Sequence, residues 1–157
     1  MGQLAFQEQI VGNHCWGCGA KNENGLGLKS YWDGDESVSS FTPQPFHTAS
    51  AAHVVNGGIL ASLIDCHCIF TAIAAAYKSE GREISSEPPI WYATGSLNVS
   101  YKGPTPIDRQ VDLRARITEM TERRINLSCT LSVDGKKTVE GEVVAVRVPL
   151  EWMQAPQ

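Results

Sequence analysis

The sequence predicts an α+β domain in which a curved antiparallel sheet wraps one long central helix, in the order β-β-α-β-β-β-β. Three features carry that prediction. The stretch from Gly57 to Tyr77 is apolar around nearly its whole circumference, and the C-terminal half alternates apolar and polar residues with period two. A segment dense in Gly and Asn precedes both. With 157 residues, 42% of them hydrophobic, the chain is expected to form a single domain over 1–157, beginning with an irregular segment over 1–27.

The elements follow in order. Residues 13–27 hold too many turn formers for a regular element. Two short strands are expected around Leu28–Trp32 and Ser37–Phe41, with Asp33-Gly34-Asp35 turning between them and Pro43 and Pro45 ending the pair. The helix begins at Asn56, whose side-chain oxygen can accept from the first-turn amides, and Gly81 supplies its C-terminal stop. Ile59, Leu60, Leu63, Ile64, Phe70 and Ile73 leave it almost no polar face, so something must enclose it.

The enclosing strands are written downstream. Leu97, Val99 and Tyr101 alternate with polar neighbours, as do Val111, Leu113, Ala115 and Ile117, and then Ile125, Leu127, Cys129, Leu131 and Val133. Asp134-Gly135 is a two-residue hairpin signal into a last strand that ends in the apolar run Val143–Val148. One sheet shields only part of so apolar a helix. A second copy of the chain is therefore expected to cover the rest, through a two-fold dimer.

Composition excludes several classes of partner. A net charge of -4 with scattered Lys and Arg offers no footprint for nucleic acid. The first residues have neither a basic nor an apolar signal region, and five cysteines suit reduced thiols better than a disulfide framework, so a cytoplasmic setting is expected. Gly57–Tyr77 approaches the length of a membrane span but carries Asp65 and His67. An Asp at mid-span costs about 2.5–3.5 kcal/mol, which favours a buried helix over a membrane partner.

The chemistry is expected at the helix. The amides of Gly57 and Gly58 lie at the positive end of the helix dipole, lack intrahelical acceptors and carry no side chains to keep a carbonyl away. Such donors suit polarisation of an acyl carbonyl; a capped helix packing closely on a sheet would use the same glycines. Asp65 is an acid in an apolar run, which requires either a wet cavity or a hydrogen-bonding partner such as His67 or a serine. Eight residues of helix put it roughly 12 Å from Gly57, too far for both to act on one carbonyl within one chain. An antiparallel pair of helices across a two-fold axis would bring Gly57 of one copy towards Asp65 of the other.

These residues resemble a known family. The segment Asn56-Gly57-Gly58-x6-Asp65 is similar to the His-Gly-Gly-x6-Asp motif of hotdog-fold acyl-CoA thioesterases, within the 4-hydroxybenzoyl-CoA thioesterase superfamily and its branch like the phenylacetic-acid-degradation thioesterase. Cys15-x-x-Cys18-Gly19 with Asn24-Gly25-Leu26, and the stretch Tyr92–Lys102, agree with it, so the resemblance runs from about residue 13 to 148. It implies a hotdog fold that hydrolyses the thioester of an acyl-CoA to a carboxylate and free CoA. Gly57 would polarise the carbonyl, Asp65 of the partner copy would act as general base or nucleophile, and Thr94 would orient the water. Asn56 and Gly58 would contact the substrate. Asn56 departs from the family's His; it loses an imidazole and keeps a hydrogen-bonding cap. Thr94 is also a residue that a strand favours on propensity alone. The family further implies active sites at the interface of a homodimer, with a dimer of dimers as the larger assembly, and no cofactor.

No metal site is expected either. Cys15-x-x-Cys18 is half of a zinc site whose other half is missing from the sequence, because Cys66 and Cys68 point in different directions from their helix. His47 and His53 are expected to face water, and Lys102, Arg109, Arg123 and Arg124 to be solvated charges that a CoA phosphate can meet. Two other functions share such a fold. A hydratase or dehydratase would normally pair a His with the acid, and a non-catalytic acyl-CoA-binding module would not need Asp65.

Overall fold

The computed structural model describes residues 2–156 and contains six strands and one long helix. The strands are β1 (Ser30–Asp33), β2 (Glu36–Phe41), β3 (Trp91–Tyr101), β4 (Val111–Met120), β5 (Arg124–Val133) and β6 (Lys136–Val148), and the helix α1 (Gly57–Ser79) lies between β2 and β3 in the chain. All six strands pair antiparallel in one sheet, ordered β1-β2-β4-β5-β6-β3. The α+β class and the element order are those the sequence predicts.

The helix ends have local causes. Asn56 Oδ1 accepts from the amides of Gly58 at 2.8 Å and Ile59 at 3.2 Å, which satisfies donors that the first turn cannot pair internally. At the other end Gly81 adopts a φ of +65°, its amide donates to Lys78 O and the amide of Arg82 donates to Tyr77 O. That pair of bonds closes the helix and needs a residue without a Cβ in the left-handed region. Asp134 and Gly135, with φ of 50° and 78°, make the tight β5–β6 turn.

Period-two patterning places the core. Val111, Leu113 and Ala115 of β4 and Ile125, Leu127, Cys129 and Leu131 of β5 are buried against α1, while Asp112, Arg114 and Arg116 face out. Gly141 of β6 lets the helix come close, since a Cβ there would lie 2.7 Å from Ile64 Cγ2. The length and apolarity that bring α1 near a membrane span serve this enclosure: most of it is buried inside the fold.

Two expectations change. The sheet does not leave the helix half bare, because the N-terminal segment and the stretch before β3 cover it. Every residue from Cys66 to Tyr77 is buried within one chain, beneath side chains that include Phe6, Leu28 and Ile90. The segment is irregular yet held by its own bonds, among them Leu26 N–H to Trp16 O and Leu28 N–H to Gly17 O. The second change is in β3. Its residues Leu97 and Tyr101, expected on a dry face, are 38% and 51% exposed, because β3 is an edge strand running past the first turns of α1.

Candidate active site

Two groups of the expected residues meet, and they lie apart from each other within the chain. Thr94 Oγ1 donates to Asp65 Oδ1 at 2.5 Å. Simple alternation would put Thr94 on the outer face of β3 with Ser96 and Asn98. A bulge intervenes: Thr94 pairs with Ala145 and Ser96 with Val144, so Gly95 is the extra residue and the strand changes parity there. Gly95 suits that position because a Cβ would lie 2.6 Å from Val146 Cγ2. The bulge thus delivers Thr94 to the same side as Leu97, Val99 and Tyr101, facing the helix.

Asp65 and Thr94 form part of the wall of an open cavity of about 540 Å³. Its apolar lining includes Ile69, Phe70, Ile73 and Trp91, with His14 and Cys15 from the N-terminal segment and Trp152 and Met153 from the C-terminal one. Burial pushes the Asp65 carboxyl above the ordinary range, the Thr94 hydrogen bond pulls it back, and the nearby Cys15 adds to the upward push. Oδ2 makes no hydrogen bond with the described residues, which leaves it available to a ligand or water.

The second group sits at the start of α1. The Asn56 cap takes up the Gly58 amide and leaves the Gly57 amide outside it. Tyr101 Oη donates to Gly57 O at 2.5 Å, tying the end of β3 to this first turn. Gly57 borders a shallow hollow with Leu60, Tyr101, Lys102 and Pro104, separate from the cavity of Asp65. The expected site residues therefore fall into two groups, on different surfaces of one chain.

His67 is not the partner of Asp65. It is fully buried on the opposite side of α1, with Nδ1 2.8 Å from Ser30 Oγ and Nε2 3.2 Å from both Ser37 Oγ and Ser37 O. Since a carbonyl only accepts, Nε2 carries the proton and Nδ1 accepts from Ser30. Gln7 Nε2 donates to that Ser30 hydroxyl at 3.0 Å, and Thr71 Oγ1 donates to His67 O at 2.7 Å, so a neutral imidazole completes the network. Burial lowers the His67 pKa to about 4. His53 is exposed as expected, and His47 Nδ1 is occupied by the Gln44 amide in its own loop.

The cysteines hold what sequence spacing missed. Cys66 and Cys68 do diverge, but Cys66 turns towards the N-terminal segment, and its sulfur joins those of Cys15 and Cys18 within 4.8 Å of one another. No local pattern announces a contact between residues 51 apart in sequence. Tyr101 and the Trp152-Met153 pair border these hollows without a sequence motif to mark them; the visible signal for the latter is an apolar pair in a polar tail.

Comparison with known proteins bears on what this geometry serves. No family model matches the chain. It is 26% identical over 132 residues to the acyl-coenzyme A thioesterase THEM4 of Rattus norvegicus, across 82% of this chain and 51% of that protein. The chain thus spans about half the length of that relative. Among solved structures, a thioesterase superfamily protein from Shewanella loihica is 35% identical with a TM-score of 0.63, over 78% of this chain and 92% of its own. The E. coli PaaI protein from the phenylacetic acid degradation operon, at 12% identity, has the same fold with a TM-score of 0.64, over 79% of this chain and 81% of its own.

Proposed function

The chain belongs to the thioesterase superfamily, and from that premise we propose that it hydrolyses the thioester of an acyl-CoA at a centre shared by two copies of the chain. The observation that carries this reading is the Thr94–Asp65 hydrogen bond in the wall of a largely apolar cavity. A carboxylate whose one oxygen is fixed by a hydroxyl keeps the other for a water molecule. Asp65 Oδ2 takes a proton from that water as its oxygen attacks the thioester carbon. The resulting oxyanion is met by the Gly57 amide of the other copy, aided by the positive end of its helix. Collapse breaks the C–S bond, and the proton held by Asp65 passes to the departing CoA sulfur.

Sharing is required by distance, since Gly57 and Asp65 of one chain are roughly 12 Å apart along the axis. The edge of β3 supports it. Eleven residues long, unpaired on one side and bearing exposed Leu97 and Tyr101, this strand is suited to pairing with its own copy across a two-fold axis. Asn56 meets the structural need of the motif without an imidazole, because its cap orders the first turn that presents Gly57. The acyl group enters the cavity between Ile69, Phe70, Ile73 and Trp91.

Release of free thiol from a panel of acyl-CoAs, compared between the parent and Asp65→Asn, tests the proposal. Loss of the general base is expected to lower kcat by about 10²–10⁴-fold while acyl-CoA binding persists. If both proteins bind acyl-CoA and neither hydrolyses it above background, the chain is a binding module instead.

A further inference from the structure

Three of the five cysteines converge where the N-terminal segment docks on α1, outside the proposed reaction. Cys15 and Cys66 Sγ are 3.6 Å apart, and all three sulfurs of Cys15, Cys18 and Cys66 lie within 4.8 Å of one another. We propose that Cys15, Cys18 and Cys66 bind a soft divalent metal ion of the zinc type, with a fourth, exogenous ligand admitted from the cavity that Cys15 and Cys66 line.

The spacing fits this use. Sulfurs about 2.3 Å from a tetrahedral zinc ion are about 3.8 Å from each other, close to the observed Cys15–Cys66 separation and within reach of side-chain rotation for Cys18. A disulfide needs about 2.05 Å between two sulfurs and would leave the third thiol without a role. The surrounding backbone is arranged around the sulfurs. Asn13 bridges the turn: its Oδ1 accepts from the Cys15 amide at 3.0 Å and its side-chain amide donates to Cys18 Sγ at 3.8 Å. Such an N–H donor to sulfur favours a thiolate and orients a metal ligand. Gly17, inside the Cys-x-x-Cys turn, is needed for the convergence because a Cβ there would collide with the Cys66 sulfur. Gly19, just after the turn, closes it by donating its amide to Cys15 O at 2.7 Å.

The remaining two cysteines serve as internal controls. Cys68 and Cys129 are buried together elsewhere under the sheet. Their sulfurs are not part of the cluster.

The test is cobalt binding to the full chain after reduction and chelator treatment. One ion per chain is expected, with thiolate-to-cobalt charge transfer and the visible bands of a tetrahedral site, both displaced by zinc. Cys18→Ser and Cys66→Ser should each weaken binding by about 100-fold or more, whereas Cys129→Ser should leave it unchanged. Should Cys66→Ser fail to fold, the parent protein still decides the matter. Cys15 is exposed, so zinc should protect it from a maleimide, as read by mass spectrometry of the labelled peptide. Absence of cobalt binding, binding indifferent to Cys66→Ser in a folded variant, or alkylation of Cys15 that zinc does not slow would each overturn the proposal.

Discussion

The two parts of α1 put their polar residues to opposite ends. From Gly57 to Asp65 the helix keeps partly open faces; from Cys66 to Tyr77 it is buried on all sides. Asp65 and His67 straddle that boundary two residues apart, hence on nearly opposite faces of the helix. His67 is the more deeply buried, yet both of its ring nitrogens are engaged and its partners are neutral. Asp65 is less buried, with one oxygen held by Thr94 and the other without a partner among the described residues. Depth of burial therefore does not single out Asp65 as the proposed reactive group; its unspent hydrogen-bonding capacity beside a cavity does.

The largest expected contrast is in acid. The His67 pKa falls from an ordinary 6.5 to about 4 in the folded chain, so the unfolded chain binds the extra proton between those values. Its contribution to stability is intact above pH 6.5 and lost as pH falls towards 4, amounting to about 3 kcal/mol. Urea unfolding at pH 7 and pH 4.5 should show this loss, and His67→Gln should remove that part of the pH dependence. An unchanged pH slope in His67→Gln would mean that the imidazole network is not what protonation disrupts.

A smaller effect is expected on the other face. Thr94→Val removes the hydroxyl that holds Asp65, and a hydrogen bond to a charged group is worth about 1.5–3 kcal/mol, so kcat should fall by about 10-fold or more. The hydrogen bond also lowers the Asp65 pKa against burial, so its loss raises that pKa. In the proposed mechanism the carboxylate is the active form, so the acid limb of the pH–rate profile should move to higher pH. Thr94→Ser should restore both. A drop in kcat with an unmoved acid limb would assign Thr94 to packing alone.

How legible these faces were in the sequence depends on how local their causes are. The Asn56 cap, the Gly81 stop and the Asp134-Gly135 turn depend on a few neighbouring residues, and each stands where the sequence puts it. Alternation along β4 and β5 reports its buried face directly. Along β3 it misleads twice. The apolar set Leu97 and Tyr101 is patterned for burial that one chain does not provide, and the bulge at Gly95 reverses parity between Thr94 and Ser96. Asp65 stands out in the sequence as an acid in an apolar run, whereas Thr94 is reached only through the family resemblance, since no spacing rule brings residues 29 apart into contact. The enclosure of Cys66–Tyr77 within one chain is not legible in the sequence, because a segment without periodicity gives no sign of which surface it will cover.

The smallest effect should be the most discriminating between the helix's two ends. Asn56→Ala deletes the acceptor for the Gly58 and Ile59 amides and should cost about 1 kcal/mol, read as a lower Tm. Gly81→Ala forces a Cβ into the left-handed region and should cost a similar amount, about 1 kcal/mol. Equal losses in stability should have unequal consequences for function. Gly81 closes the enclosed end, so its substitution should leave kcat/KM at temperatures below unfolding unchanged. Asn56 orders the turn that presents the Gly57 amide, so its loss should lower kcat as well. If both variants lose activity only in proportion to their unfolded fraction, the first turn of α1 is a structural cap like any other, and the carbonyl is polarised elsewhere.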